Sequence, residues 1–223
     1  MLLMRRHGRR MVSVEELAEP FRGKIIKVRK ATFSETQDFA DLILLSVPSL
    51  FPTIYGDDVK ATMQCLFSQR RNLFSFEHVY LAELGGKRVG MLLGYDWRAR
   101  SRESWRTGFL MLKQMKGDFF ARLPLLIKVG SVIGMVSNGE YHVSNIATYP
   151  EYRGMGIGAR LMCEAEGEAK KSGAARSVLD VEVENADAIR LYSRLGYSVV
   201  RESSVHLRGG KEFRFYRMTK QLK

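Results

Sequence analysis

The chain has 223 residues, with 36 Lys plus Arg against 24 Asp plus Glu, for a formal charge of +12. That length suits one domain of ordinary size with a real core, and the basic balance favours anionic partners, nucleic acid and acidic surfaces among them. Two cysteines, Cys65 and Cys163, are too few for a disulfide framework and fit a reducing cytoplasm; Cys163 falls within a predicted helix, where a buried thiol is expected. No segment reaches the ~18 uninterrupted apolar residues of a membrane span. The nearest, Leu123 to Val136, is broken by Pro124, Lys128 and Gly130, so a soluble protein is expected.

Residues 1–22 carry Arg5, Arg6, Arg9 and Arg10 with no apolar run behind them. They read as a basic disordered tail rather than a signal peptide, and residues 23–223 as a single domain. Met4 and Met11 leave the start codon open. Lys24 to Arg29 alternates as a first strand. Ser34 and Gln37 have the spacing of a capping box, opening a helix through Phe39, Leu42, Ile43 and Ser46 that Pro48 and Pro52 end. Asp57 and Asp58 begin a second helix, to about Arg71. His78 to Leu84 and Arg88 to Tyr95 form a hairpin across Gly85-Gly86, a two-residue turn signal.

Between residues 97 and 140 the chain is longer than a strand connection needs. It starts basic, with Arg98, Arg100, Arg102 and Arg106, then shows helical apolar spacing through Leu110, Leu112, Met115, Phe119 and Phe120. The segment is a helical insertion: a lid, extra helices packed on the sheet edge or on a second subunit, or an amphipathic surface against lipid. Tyr141 to Tyr149 follows as a strand, then the turn from Pro150 to Gly158 and a helical pattern. Glycines let backbone approach a ligand, and a helix starting there aims unpaired N–H groups and a positive dipole end at it, a cradle for a diphosphate. The turn lacks the Gly-Lys-Ser/Thr of a P-loop. Its Gly154, Gly156 and Gly158 also miss the Gly-x-Gly-x-x-Gly of a dinucleotide fold.

A second cluster follows one helix and one strand later: Ser177 to Val183 as a strand, then Asn185 and Leu191-Tyr192-x-x-x-Gly196-Tyr197. Together with Arg153-x-x-Gly156-x-Gly158 it resembles the GNAT superfamily of acyl-CoA-dependent N-acyltransferases, and its second motif is similar to that of the ribosomal-protein alanine acetyltransferases. The match covers roughly Tyr141 to Arg201. Tyr197 to Leu207 and Glu212 to Lys220 close the chain as a hairpin across Arg208 to Lys211. The expected fold is α/β: a mixed, mostly antiparallel twisted sheet flanked by helices on both faces, with the helical insertion between the third and fourth strands. The resemblance implies a V-shaped opening where Tyr141–Tyr149 and Ser177–Val183 splay apart.

The resemblance also implies roles. Acetyl-CoA is the acyl donor, and its negative charge suits the basic chain. Ile146, Ala147 and Thr148 would line the pantetheine arm. Arg153, Gly154, Met155, Gly156, Ile157, Gly158 and Ala159 would hold the pyrophosphate. Asn185 would bond the cofactor's amide chain, cap the helix that begins there, or do both. Tyr192 would protonate the departing thiolate; a phenol of pKa near 10 keeps its proton at neutral pH, although Ile189, Tyr192 and Leu195 also have the spacing of a packed helix face. Two groups are candidates for the base: Asp180, twelve residues before Tyr192, and His142, five before Ala147, whose type titrates near 6.5. With an α-amine acceptor, water could serve instead.

The expected reaction is direct attack of a neutral primary amine on the thioester, without a covalent enzyme intermediate. The four histidines are scattered, and no metal site is expected. The acceptor, a small molecule or a peptide or protein amine, stays open, as does the choice between monomer and homodimer. The competing class is a binding module: a GNAT-like fold that holds acyl-CoA without turnover, or a nucleic-acid binder using the arginines at 5–10 and 98–106.

Overall fold

The computed structural model describes residues 5–7, 10–12, 25–207 and 212–222. The expected basic tail falls largely outside these residues, where only two three-residue strands, Arg5–His7 and Arg10–Val12, pair with each other. The expected turn from Arg208 to Lys211 lies outside them as well.

The main sheet has seven strands: β1 (Lys27–Lys30), β2 (Val79–Leu84), β3 (Lys87–Asp96), β4 (Glu140–Thr148), β5 (Arg176–Glu182), β6 (Ser198–His206) and β7 (Glu212–Gln221). Their spatial order is β1-β2-β3-β4-β5-β7-β6. Every neighbouring pair is antiparallel except β4 and β5. Gly85 and Gly86, at φ 58° and 78°, make the β2–β3 turn, because a two-residue hairpin of this kind needs left-handed backbone at both positions.

Among the described residues, seven α-helices cover the sheet. Five lie on one face: α1 (Thr36–Ser46), α2 (Leu50–Tyr55), α3 (Val59–Ser68), α4 (Trp97–Met115) and α5 (Gly117–Gly130). Two lie on the other, α6 (Ile157–Lys171) and α7 (Ala186–Arg194). Period-two alternation builds both cores at once: Leu81, Met91 and Phe215 point to the five-helix layer, while Tyr80, Leu92 and Val181 point to the α6 layer. On α6, Leu161, Ala165 and Ala169 repeat every four residues and are buried. Cys163 sits between them in sequence and is exposed, so the expectation of a buried thiol is wrong: it lies on the outward stripe of the helix.

Two local expectations also change. The Ser34–Gln37 capping box does not form; Glu35 takes the N-cap position, and its carboxylate accepts from the Thr32 N–H at 2.7 Å and from Arg29 of β1 at 2.6 Å. A tertiary arginine thereby displaces a local cap. The first helix does end before Pro48, at Ser46, but a short helix not foreseen from the sequence follows, with Pro52 in the first turn of α2, where its missing N–H is no loss.

The insertion is two helices, α4 and α5. Asp96 caps α4 by accepting from the Ala99 N–H at 2.8 Å. Leu110 and Met111 of α4 and Val129 of α5 are buried in the five-helix layer, while Trp105, Phe109 and Phe120 stay exposed on the outer side.

Candidate active site

Strands β4 and β5 pair only from Glu140↔Arg176 to Val143↔Leu179. Beyond that, β4 keeps its bonds to β3 and β5 keeps its bonds to β7, so the two diverge and the sheet opens between them. A register shift between Leu93 and Gly94 leaves Ser144 without a counterpart on β3, a bulge that bends β4 where the gap starts. Ile146, Ala147 and Thr148 lie on the diverging part of β4.

That part of β4 leads directly to the glycine turn. Gly154 and Gly156 have φ of 84° and 81°, conformations costly to a residue with a Cβ, and a Cβ at either would meet nothing within 4 Å. The backbone is therefore exposed where a ligand could lie. Gly156 is the N-cap of α6, which has no side-chain cap, so the N–H groups of Ile157, Gly158 and Ala159 point out of the helix end with no partner among the described residues. Gly158 serves packing instead, since a Cβ there would stand 3.0 Å from Leu191 Cδ2, and its absence allows α6 and α7 to meet. Arg153 is exposed beside the turn, its Nε donating to the Thr148 carbonyl at 3.3 Å.

On the other side of the sheet, a cavity of about 440 Å³ lies between the diverging strands, Val47 at the end of α1, and helices α2, α4 and α5. Its walls are mostly apolar, with Phe51, Ile54, Met111 and Leu126 among them, and His142, Ser144, Asn145 and Asp180 form a polar end at the sheet. His142 Nε2 is 3.5 Å from Asp180 Oδ2, and both side chains are at most 6% exposed. Asp180 Oδ2 also accepts from Arg217 Nη1 at 2.9 Å and from the Gly134 N–H at 2.8 Å. Arg217 in turn reaches Glu140 and the Met135 carbonyl. Asp180 Oδ1 and both ring nitrogens of His142 have no hydrogen-bond partner among the described residues.

These surroundings set the charges. Burial would raise the Asp180 pKa, but His142, Arg217 and the Gly134 N–H outweigh it and hold the carboxyl below its ordinary range. Burial lowers the His142 pKa below its ordinary 6.5, more than Asp180 restores, with Arg217 and Arg100 adding to the fall. At neutral pH the pair is a neutral imidazole beside a carboxylate.

A family model described as the Acetyltransferase (GNAT) family matches residues 47–197, more than half of the chain. The chain belongs to this family. The acetyltransferase is 28% identical, over 83% of its own length and 88% of the other's, to an N-alpha-acetyltransferase of Sulfurisphaera tokodaii. Two solved structures share the fold. The Escherichia coli ribosomal-protein-S18-alanine N-acetyltransferase has a TM-score of 0.54 at 17% identity, over 89% of this chain and 95% of that one. YncA of Salmonella typhimurium, solved with its cofactor acetyl-CoA, has a TM-score of 0.57 at 18% identity, over 89% and 94%. The protein is an N-acetyltransferase.

In the acetyltransferase, Tyr192 belongs to the α6 layer. It is buried, its ring centroid is 6.1 Å from that of Tyr197, and it is not part of the cavity wall. Burial pushes the phenol above its ordinary range, so it keeps its proton at neutral pH. Asn185 caps α7, Oδ1 accepting from the Ala188 N–H at 3.2 Å. Tyr197 fixes the far end of α7 by donating to Ser177 Oγ on β5 at 2.7 Å. His142 and Asp180, offered as alternatives by the sequence, are thus brought together, while Tyr192 stands on the other side of the sheet.

Sequence reasoning missed Arg217, Gly134 and the cavity. Arg217 was open to inference, since it continues the inward parity of Phe213 and Phe215 along β7, where a charge must have a buried partner. The basic run at 98–106 is largely occupied within the chain: Arg98 donates to the Ser172 carbonyl, Arg100 to Ser104 and Arg106 to the Arg70 carbonyl. Among the described residues, no helix is long and apolar enough to cross a membrane, and no cluster of three or more His, Cys, Asp or Glu could hold a metal ion.

Proposed function

We propose that the chain transfers an acetyl group from acetyl-CoA to a primary amine in the cytoplasm, by direct attack in the gap between β4 and β5. The observation that carries this reading is the divergence of the two strands after Val143↔Leu179, with an unbonded helix N-terminus at one end and a buried base at the other. The turn from Arg153 to Ala159 fits a pyrophosphate: the N–H groups of Ile157, Gly158 and Ala159 have no partner among the described residues, and space lies open where a Cβ on Gly154 or Gly156 would stand. Ile146, Ala147 and Thr148 would line the pantetheine arm, and Asn185 would add a contact beside its cap.

When bound, acetyl-CoA supplies an activated carbonyl; the chain's groups manage the protons. His142 is the proton acceptor, because it is neutral at the pH of the reaction and faces the cavity, whereas the depressed carboxyl of Asp180 is the weaker base. Asp180 orients the imidazole and stabilises its charged form, and is itself held by Arg217 and Gly134. Tyr192 gives its proton to the leaving sulfur from the α6 side. The amine nitrogen forms its bond to the carbonyl carbon, the carbon–sulfur bond breaks, one proton passes to His142 and one comes from Tyr192.

The test is release of free thiol from acetyl-CoA in the presence of a mixed amine panel. Turnover is expected, with Tyr192→Phe lowering kcat by roughly 10²-fold while leaving acetyl-CoA affinity close to that of the native chain. Binding of acetyl-CoA with no thiol release would contradict the reading.

A further inference from the structure

The cavity and its polar end constrain the acceptor more narrowly than the family does. The walls come from separate parts of the fold: Val47, Leu50 and Phe51 around the α1–α2 join, Met111 of α4, Leu126 of α5 and Phe215 of β7. A cavity of about 440 Å³ lies within the size range of sites that enclose a small ligand or an apolar side chain. At its sheet end, Asp180 Oδ1 and the two ring nitrogens of His142 are buried with no hydrogen-bond partner among the described residues, His142 Nε2 standing 3.5 Å from Asp180 Oδ2.

Two kinds of apolar group could fill such a space: a long acyl chain on the donor, or the body of the amine. The orphaned atoms decide between them. An acyl chain lying over Asp180 and His142 would leave a carboxylate oxygen and an imidazole buried without hydrogen bonds, a cost that apolar contact does not remove. An amine brings N–H groups to those same atoms.

We infer that the acceptor is a primary amine joined to a bulky apolar group, its nitrogen seated between Asp180 Oδ1 and His142 and its apolar body enclosed by the α1–α2 join, α2, α4 and α5. This rests on the acetyltransferase reading above. Both a free alkyl or arylalkyl amine and a peptide N-terminus with a large apolar first side chain have this chemistry. On this account the insertion at 97–130 sets specificity, because α4 and α5 supply the outer wall of the acceptor pocket.

The test compares two series with acetyl-CoA: straight-chain amines from ethylamine to octylamine, and peptides beginning with Ala, Leu, Met or Phe. Acetylated product is measured by mass spectrometry, and amine binding to the CoA-loaded protein by calorimetry. Each buried methylene is expected to raise kcat/KM about fourfold until the cavity is filled. Success in one series alone identifies the source of the amine. Gly108 of α4 lines the cavity, and a Cβ there would meet nothing within 4 Å, so Gly108→Leu should fill the space without strain. Its expected effect is a shift of the preferred amine to shorter members, with at least a tenfold loss for the longest; retained acetyl-CoA affinity shows that the variant is folded.

Equal or better use of ethylamine and Ala peptides would overturn the inference and leave the acetyltransferase reading intact. So would a preference for octanoyl-CoA over acetyl-CoA that Gly108→Leu abolishes, since the cavity would then hold the acyl chain. Absence of turnover with every amine would count against the acetyltransferase reading; in that case, size-dependent amine binding that Gly108→Leu weakens still supports the pocket, and its absence overturns it.

Discussion

In the proposed reaction, burial is what suits His142 to act as the base. A histidine in water is half protonated near pH 6.5; here the surrounding apolar layer disfavours the imidazolium, so the ring stays neutral further into acid. The pH dependence follows with a definite sign. With an amine of pKa above 8, log kcat/KM should rise with a slope of about two at low pH, where amine and His142 must both lose a proton. The slope should fall to one above a break that lies below 6.5. His142→Gln should lower kcat/KM by roughly 10²-fold or more and leave a slope of one throughout. A surviving break would assign the titration to another group. Gly156 supports a second prediction at this scale. Its φ of 81° strains any residue with a Cβ by about 1–2 kcal/mol. Gly156→Val should therefore move the turn and weaken acetyl-CoA binding roughly tenfold, measured by calorimetry; unchanged affinity would separate the turn from the ligand.

The glycine turn, the Asn185 cap and the helix face of Tyr192 were legible in the sequence because their signals are local. His142 and Asp180 were legible only as separate candidates for the base; their pairing was not, because their surroundings are assembled from β4, β5, β7 and the segment at residues 134–135, and no short motif records that meeting. His142 and Asp180 are 38 positions apart in the chain and 3.5 Å apart in the fold.

At the scale of elements the same contrast holds. The seven strands of the main sheet, the hairpin turn and the two-helix insertion follow from periodicity and from glycine. The start of α1 does not, since Glu35 rather than Ser34 organises it through a partner 6 residues away. Burial would raise the Glu35 pKa, but Arg29 and Thr32 outweigh it and lower the carboxyl from its ordinary 4.5 to about 2. Its contribution to stability is complete above pH 4.5, where both folded and unfolded forms are ionised. It is lost as pH falls from 4.5 towards 2, where only the unfolded form takes up the proton. Glu35→Gln should destabilise the fold by about 1–3 kcal/mol at pH 7, with the difference shrinking in acid. Denaturant melts of both proteins at pH 7 and pH 3 would show it; a difference independent of pH would disprove the ion-pair origin. The short helix α2 escaped sequence reading for a related reason. Proline marks a break in isolation, yet it is tolerated in a first turn once neighbouring helices bury Leu50, Phe51 and Ile54.

Across the described residues, the sheet separates two layers and opens between them where β4 and β5 part. The α6 layer carries the exposed turn and Tyr192, the five-helix layer carries the cavity, and His142 and Asp180 face that cavity beside the gap. A donor entering from one side and an amine entering from the other would reach the same opening without competing for space. The most direct test is a crystal structure of the chain with CoA bound. The account predicts the pyrophosphate on the N–H groups from Gly154 to Ala159, and the sulfur in the β4–β5 gap between Tyr192 and the His142 side of the sheet. CoA seated elsewhere, or a sulfur closed off from the cavity, would contradict it.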